Sequence, residues 1–187
     1  KLKGMGASTA ASGAVGLYHV EKVTPEAIDQ GRDLLVDDHQ TYVIDDAEYK
    51  RVVDSFPNLW KDPKGDPTAV MIGCPHNTYE ELVYWAEKLV QALKDKGQEK
   101  VATPTVRVSS LVVSDQRLDA HPILYRDMLR AGVIYTNMCG PAYMGLKGMS
   151  DLGRGVTNSN KGRVYTPMRL FPDDDLVQIA VTGKMPS

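Results

Sequence analysis

Five polar residues stand together in Thr157-Asn158-Ser159-Asn160-Lys161. Hydroxyls, amides and an ammonium so grouped can hold a carboxylate or a phosphate through charge-assisted hydrogen bonds. A hydrophilic turn with Lys161 in solvent uses the same residue types, because charged loop residues are usually solvated. Two other clusters carry chemistry. In Gly73-Cys74-Pro75-His76 the glycine lets a backbone come close to a ligand, and thiol and imidazole offer a metal ligand or an acid/base pair. Two candidate ligands fall short of a four-coordinate site, which suits a pocket lining better than a metal centre. A strand-to-helix turn with His76 bonded to the backbone explains the same residues. In Asn137-Met138-Cys139-Gly140-Pro141 a thiol at a strand end is placed to hold a soft metal centre, or is a buried thiol acting as a small hydrophobe. His19, His39 and His121 read as surface or packing residues.

The elements around these clusters give them a common place. "AVMIG" is a compact apolar run that suits a buried strand, with "CPHN" between it and the next helix. In that helix Leu82, Ala86, Leu89, Val90 and Leu93 recur at helical spacing, and Thr78 with Glu81 forms a capping box at its start. "VRVSSLVV" is a further strand, "PILYRDMLRAG" a helix, "VIYT" a strand, and the run before "TNSNK" another. Nearer the start, "GLYHV" and "TYVI" read as strands, Thr24-Pro25 as a helix start, and Asp45 or Asp46 as the cap of "AEYKRVVDSF". In "GMGASTAASG" small residues allow another backbone to approach a helix, or a loop to approach a ligand. Strands alternating with helices predict an α/β layered domain with a mostly parallel sheet flanked by helices. Ligands gather beyond the carboxyl ends of such strands, and all three polar clusters fall there.

The charges nearly cancel over 187 residues, at a formal net charge of -2, which favours neither nucleic acid nor a polybasic membrane contact. No apolar run approaches the roughly 18 residues needed to span a bilayer. With two cysteines there is no disulfide framework, and a reduced, cytoplasmic setting is expected.

The blocks "GMGASTAASGAVGLYHVEKVTPEA", "IGCPHNTYEEL", "TNMC" and "VTNSNKGRVYTP", in this order, resemble the large-subunit catalytic region of the aconitase X family. The resemblance covers most of the chain and implies an aconitase-like α/β fold with hydro-lyase activity supported by an iron-sulfur cluster. Family members dehydrate cis-3-hydroxy-L-proline or 5-phosphomevalonate, and work with a small swivelling subunit or domain thought to supply a catalytic serine. On this resemblance, residues 1–187 form the C-terminal part of the catalytic domain, without the N-terminal half and the swivelling domain, and cis-3-hydroxy-L-proline is the expected substrate. Carried over by position, Cys139 matches a cluster ligand, Asn158, Ser159 and Lys161 match an N-S-x-K segment near the active site, and Gly73, Cys74 and His76 match a G-C-P-H turn. The chain departs from the family at Asn137-Met138, where D-T often precedes the cysteine, and at Leu176, which takes the place of a further family cysteine.

A hydro-lyase removes a proton next to a carboxylate and expels hydroxide, so it needs a Lewis acid, a base and an anion clamp. The roles expected here are Lys161 and Ser159 in catalysis, Asn158, Thr157, Gly73 and His76 in substrate binding, and Cys139 on the metal. The competing class is a non-catalytic α/β module that binds a small acid in the same strand-end pocket, which Leu176 favours.

Overall fold

The computed structural model describes residues 2–110, 122–139, 142 and 153–186. His121, Gly140, Pro141 and the end of "VRVSSLVV" lie outside the described residues. The chain divides into two compact units, Val15–Pro57 and the remainder.

The larger unit is built on a five-stranded sheet of order β3-β2-β1-β4-β5, with every pairing parallel. Its strands are β1 (Ala69–Asn77), β2 (Thr105–Ser110), β3 (Val133–Thr136), β4 (Gly155–Thr157) and β5 (Arg169–Leu170). Strands of a covered parallel sheet are buried on both faces, and Ala69, Val70, Met71 and Ile72 are all buried in succession. Three helices cover the core: α4 (Tyr79–Asp95), α5 (Pro122–Arg130) and α7 (Asp173–Thr182). The α4 capping box forms as the sequence predicts, and Leu82, Trp85, Ala86, Leu89 and Leu93 give it one buried stripe. That stripe meets Val70, Ile72, Val106 and Val108 of the sheet and Leu176 and Ile179 of α7. Each such side chain, fully buried, contributes about 1.5–3 kcal/mol. Asp173, Asp174 and Asp175 occupy the first turn of α7, where the helix dipole favours negative charge.

"GMGASTAASG" folds as helix α1 (Leu2–Gly13), which packs on β1 and on the short helix α6 (Asn160–Tyr165). The small side chains permit that approach at a cost in helix propensity. "CPHN" does not separate strand from helix; it lies within β1 as a bulge. Ile72 pairs with Val108 and the next pairing is Asn77 with Ser110, so β1 spends four residues where β2 spends one.

In the smaller unit Pro25 opens helix α2 (Pro25–Asp29), a 3-10 turn follows at Gly31–Leu34, and Asp45 caps α3 (Asp46–Asp54) by accepting from the Glu48 amide at 2.8 Å. "GLYHV" and "TYVI" are not strands here. Strand propensity is realised only against a neighbouring strand, and neither segment has one among the described residues. No described helix is long and apolar enough to cross a membrane.

Candidate functional site

From β1 the chain builds outward to β2 and β3, then returns to lay β4 and β5 on the other side of β1. The strand order therefore reverses between β1 and β4, which is where open parallel sheets leave a crevice for ligands. A cavity of about 710 Å³ lies there, lined by Gly73 and Cys74 from β1, Asn158 and Ser159 after β4, and Lys3 and Ser8 from α1.

Gly73 makes the turn into the bulge. Its φ of +98° belongs to glycine, and a Cβ there would collide with the Asn77 amide and the Ser109 carbonyl. Asn77, buried, donates from Nδ2 to that Ser109 carbonyl at 3.0 Å, while Ser110 Oγ donates to the Asn77 carbonyl at 2.8 Å. These bonds fix the bulge to β2.

The polar run after β4 is neither a free loop nor uniformly exposed. Thr157 is buried at the strand end, and its hydroxyl accepts from the Ser159 amide at 3.1 Å. Ser159, also buried, caps α6 by accepting from the Gly162 amide at 2.9 Å and donates its hydroxyl to the Cys74 carbonyl. Asn158 donates from Nδ2 to Asp173 at 3.0 Å. Lys161 lies in the first turn of α6, where its positive charge reaches the Cys74 thiol.

His76 joins two of the clusters. Its Nε2 donates to the Asn137 carbonyl at 3.0 Å, and Ser109 Oγ donates to the Met138 carbonyl at 3.0 Å. The end of β3 is thereby held against the bulge, and Cys139 comes beside Cys74. Burial pushes the Cys74 thiol up; the Ser159 hydroxyl opposes this, Cys139 adds to it, and Lys161 opposes it. Both thiols are free.

Gly73, Asn158 and Ser159 thus line one cavity with Cys74, while Cys139 and Lys161 act on the Cys74 thiol without lining it, and Thr157 and His76 are not among the lining residues either. Lys3 was not signalled by the sequence. It donates to the His76 carbonyl at 2.8 Å and pairs with Glu81, linking α1 to the start of α4. Nothing in its local sequence marks it, because its partners lie more than seventy positions away.

Two adjacent thiols are a donor set that suits iron and sulfide. Among the described residues they form a pair and not a larger group, since no three His, Cys, Asp or Glu residues stand together as metal ligands. Leu176, in the place of a family cysteine, is wholly buried in the apolar core and does not line the cavity.

The family model described as "Aconitase X second domain" matches residues 1–54. The phosphomevalonate dehydratase large subunit of Methanosarcina mazei is 37% identical over 169 residues, covering 89% of this chain and 36% of that protein. The chain is thus similar to the aconitase X family over most of its length. The enzyme subunit of the same name from Thermococcus kodakarensis is 38% identical over 88 residues, 47% of this chain and 21% of its own length. The crystal structure of Thermococcus kodakaraensis aconitase X (holo-form) superimposes with a TM-score of 0.71 at 24% identity, over 96% of this chain and 43% of that one. This likeness shows an aconitase X fold. The chain accordingly spans well under half the length of these aconitase X relatives.

Proposed function

We propose that this chain supplies part of the active site of an aconitase X-type hydro-lyase that removes water from a small hydroxy acid. One observation carries the reading: Gly73, Cys74, Asn158 and Ser159 meet in a single cavity where the strand order reverses. Four relatives bear the name phosphomevalonate dehydratase large subunit, which supports phosphomevalonate as substrate in preference to cis-3-hydroxy-L-proline. The same name supports a small subunit as partner. Two free thiols suit a reduced, cytoplasmic setting.

Cys139 and Cys74 are the residues that would hold an iron-sulfur cluster. When bound, such a cluster supplies Lewis-acid polarisation of the departing hydroxyl. The chain's own residues do the rest. Lys161 holds the substrate's anionic group, and its ammonium also stabilises negative charge developing beside the thiols. Asn158, steadied by Asp173, orients the substrate by hydrogen bonding. Ser159 fixes the Cys74 backbone, and Thr157 in turn fixes Ser159. Gly73 leaves the wall open at the bulge, and His76 holds the Cys139 turn through Asn137. The base comes from the partner subunit.

The test is turnover of phosphomevalonate by the chain in its complete enzyme. Lys161→Ala is expected to lower kcat/KM by about a hundredfold or more, the scale of losing one charge-stabilising donor. Unchanged turnover would remove Lys161 from the site. Leu176 in the core favours a second reading, a small-acid-binding module without a cluster. An anaerobic iron and sulfide assay separates the two: iron and sulfide lost on Cys139→Ser support the dehydratase, and metal-free protein that still binds phosphomevalonate supports the module.

A further inference from the structure

We infer that Lys3 is a positioning residue for the two thiols: by clamping His76, it sets how Cys74 and Cys139 stand toward each other. The inference rests on the reading of that pair as the holder of a metal group.

The bulge from Gly73 to Asn77 has left the ladder with β2, so its carbonyls need other partners. Three elements supply them. Ser159 at the start of α6 donates to the Cys74 carbonyl, Ser110 of β2 to the Asn77 carbonyl, and Lys3 of α1 to the His76 carbonyl at 2.8 Å. Two anchors meet at His76, because its ring also donates to the Asn137 carbonyl at 3.0 Å. Along the chain, Cys74 lies two residues before His76, and Cys139 two residues after Asn137. Pro75 stands between Cys74 and His76 with its φ fixed by the ring, which leaves few soft dihedrals to absorb a movement of the His76 peptide. A shift there is passed to Cys74 through the backbone and to Cys139 through the imidazole.

Lys3 is itself held for this role. Its ammonium carries three donors, and a second goes to Glu81, whose carboxylate also accepts from the Thr78 amide at 2.8 Å. Glu81 belongs to the α4 capping box, so Lys3 is braced on the first turn of a 17-residue helix. A hydrogen bond from a charged donor is also stronger than one from a neutral amide. At the far end of α1, Ser12 accepts from Asn160 Nδ2 at 2.9 Å, which pins the helix at a second, independent point. The cation whose charge reaches the Cys74 thiol is Lys161, so Lys3 acts by placement and not by charge.

The test titrates the full chain, free of iron, with cadmium, a soft ion suited to two thiolates, and follows the thiolate-to-metal charge-transfer absorption. Cys139→Ser should weaken cadmium binding. Lys3→Met should weaken it about tenfold or more, the scale for losing an outer partner of a metal ligand. Lys3→Arg keeps the charge and the donors, and should recover most of the affinity. Ser12→Ala frees the other end of α1, as hydrogen exchange would show, and should bind cadmium as the parent does. Parental affinity in Lys3→Met overturns the proposal. Equal loss in Ser12→Ala, or no recovery in Lys3→Arg, overturns it as well, since the effect would then belong to α1 packing at large. Cadmium binding indifferent to Cys139→Ser would sink the thiol-pair reading and the proposal with it, whereas loss in Cys139→Ser with none in Lys3→Met sinks the proposal alone.

Discussion

Gly73 and Ser159 define the crevice more sharply than any charged residue in it. Adding a methyl group at Gly73 meets both a left-handed backbone and contacts from Asn77 and Ser109. Gly73→Ala should therefore lower stability by about 2–4 kcal/mol, adding the cost of the positive φ to that of overpacking, as measured by urea unfolding. Ser159→Ala removes the cap of α6 and the latch on the Cys74 carbonyl. Loss of the cap should cost about 1 kcal/mol. A cap elsewhere in the fold would leave thiol chemistry alone, whereas this one should also slow modification of Cys74 by a small electrophile, followed by mass spectrometry, because the Ser159 hydroxyl favours the thiolate. An unchanged rate would mean that Ser159 does not hold Cys74. At this scale the sequence was informative where a residue type has few uses: the glycine, the thiols and the N-S-x-K run all stand at the strand ends. It was silent on Lys3, whose role depends on where α1 lands.

Among the elements, α4 was the most legible, because a capping box and an apolar stripe are local signals. β1 was read too short, since a bulge is defined by the partner strand and not by its own residues. "GLYHV" and "TYVI" show the converse error, in which composition suited a strand that no described neighbour completes. The tie between α1 and α4 gives a pH prediction. Burial alone would raise the Glu81 carboxyl, but hydrogen bonds from Lys3 and from the Thr78 backbone hold it below its ordinary value of 4.5. A depressed carboxylate stabilises the fold above its unfolded pKa and loses that contribution as pH falls through the folded value. Docking of α1 should thus weaken on acidification below about pH 4.5, and Lys3→Met should reduce that acid dependence. Hydrogen exchange of the α1 amides at pH 6 and pH 3.5 reads it. An acid response in Lys3→Met equal to that of the parent would exclude the pair as its source. The pair is well exposed, so the energetic effect is small.

At the level of the molecule, alternation of strands and helices was enough to predict a parallel α/β sheet and the end at which the polar clusters gather. Strand order was not legible, because it depends on which crossover returns across β1, and that is set by packing of α4, α5 and α7 on one another and on the sheet. The placement of Leu176 in the core was also beyond reach from a matched position alone. Replacing it by cysteine should cost about 1–3 kcal/mol in core packing, measured by thermal unfolding, and should add no third metal-reactive thiol under native conditions. A third native thiol titrating with iron would place residue 176 at the cavity after all.

The reversal of strand order also bears on time. Residues 73–77, 136–139 and 157–161 reach one crevice only after both outer crossovers have closed, and contacts between such distant positions form slowly during folding. The crevice is then among the last parts of the unit to exist, and the two thiols pass through a period in which they are apart and open to solvent. In a cell, that interval would be when the chain is most exposed to oxidants and to stray metal ions.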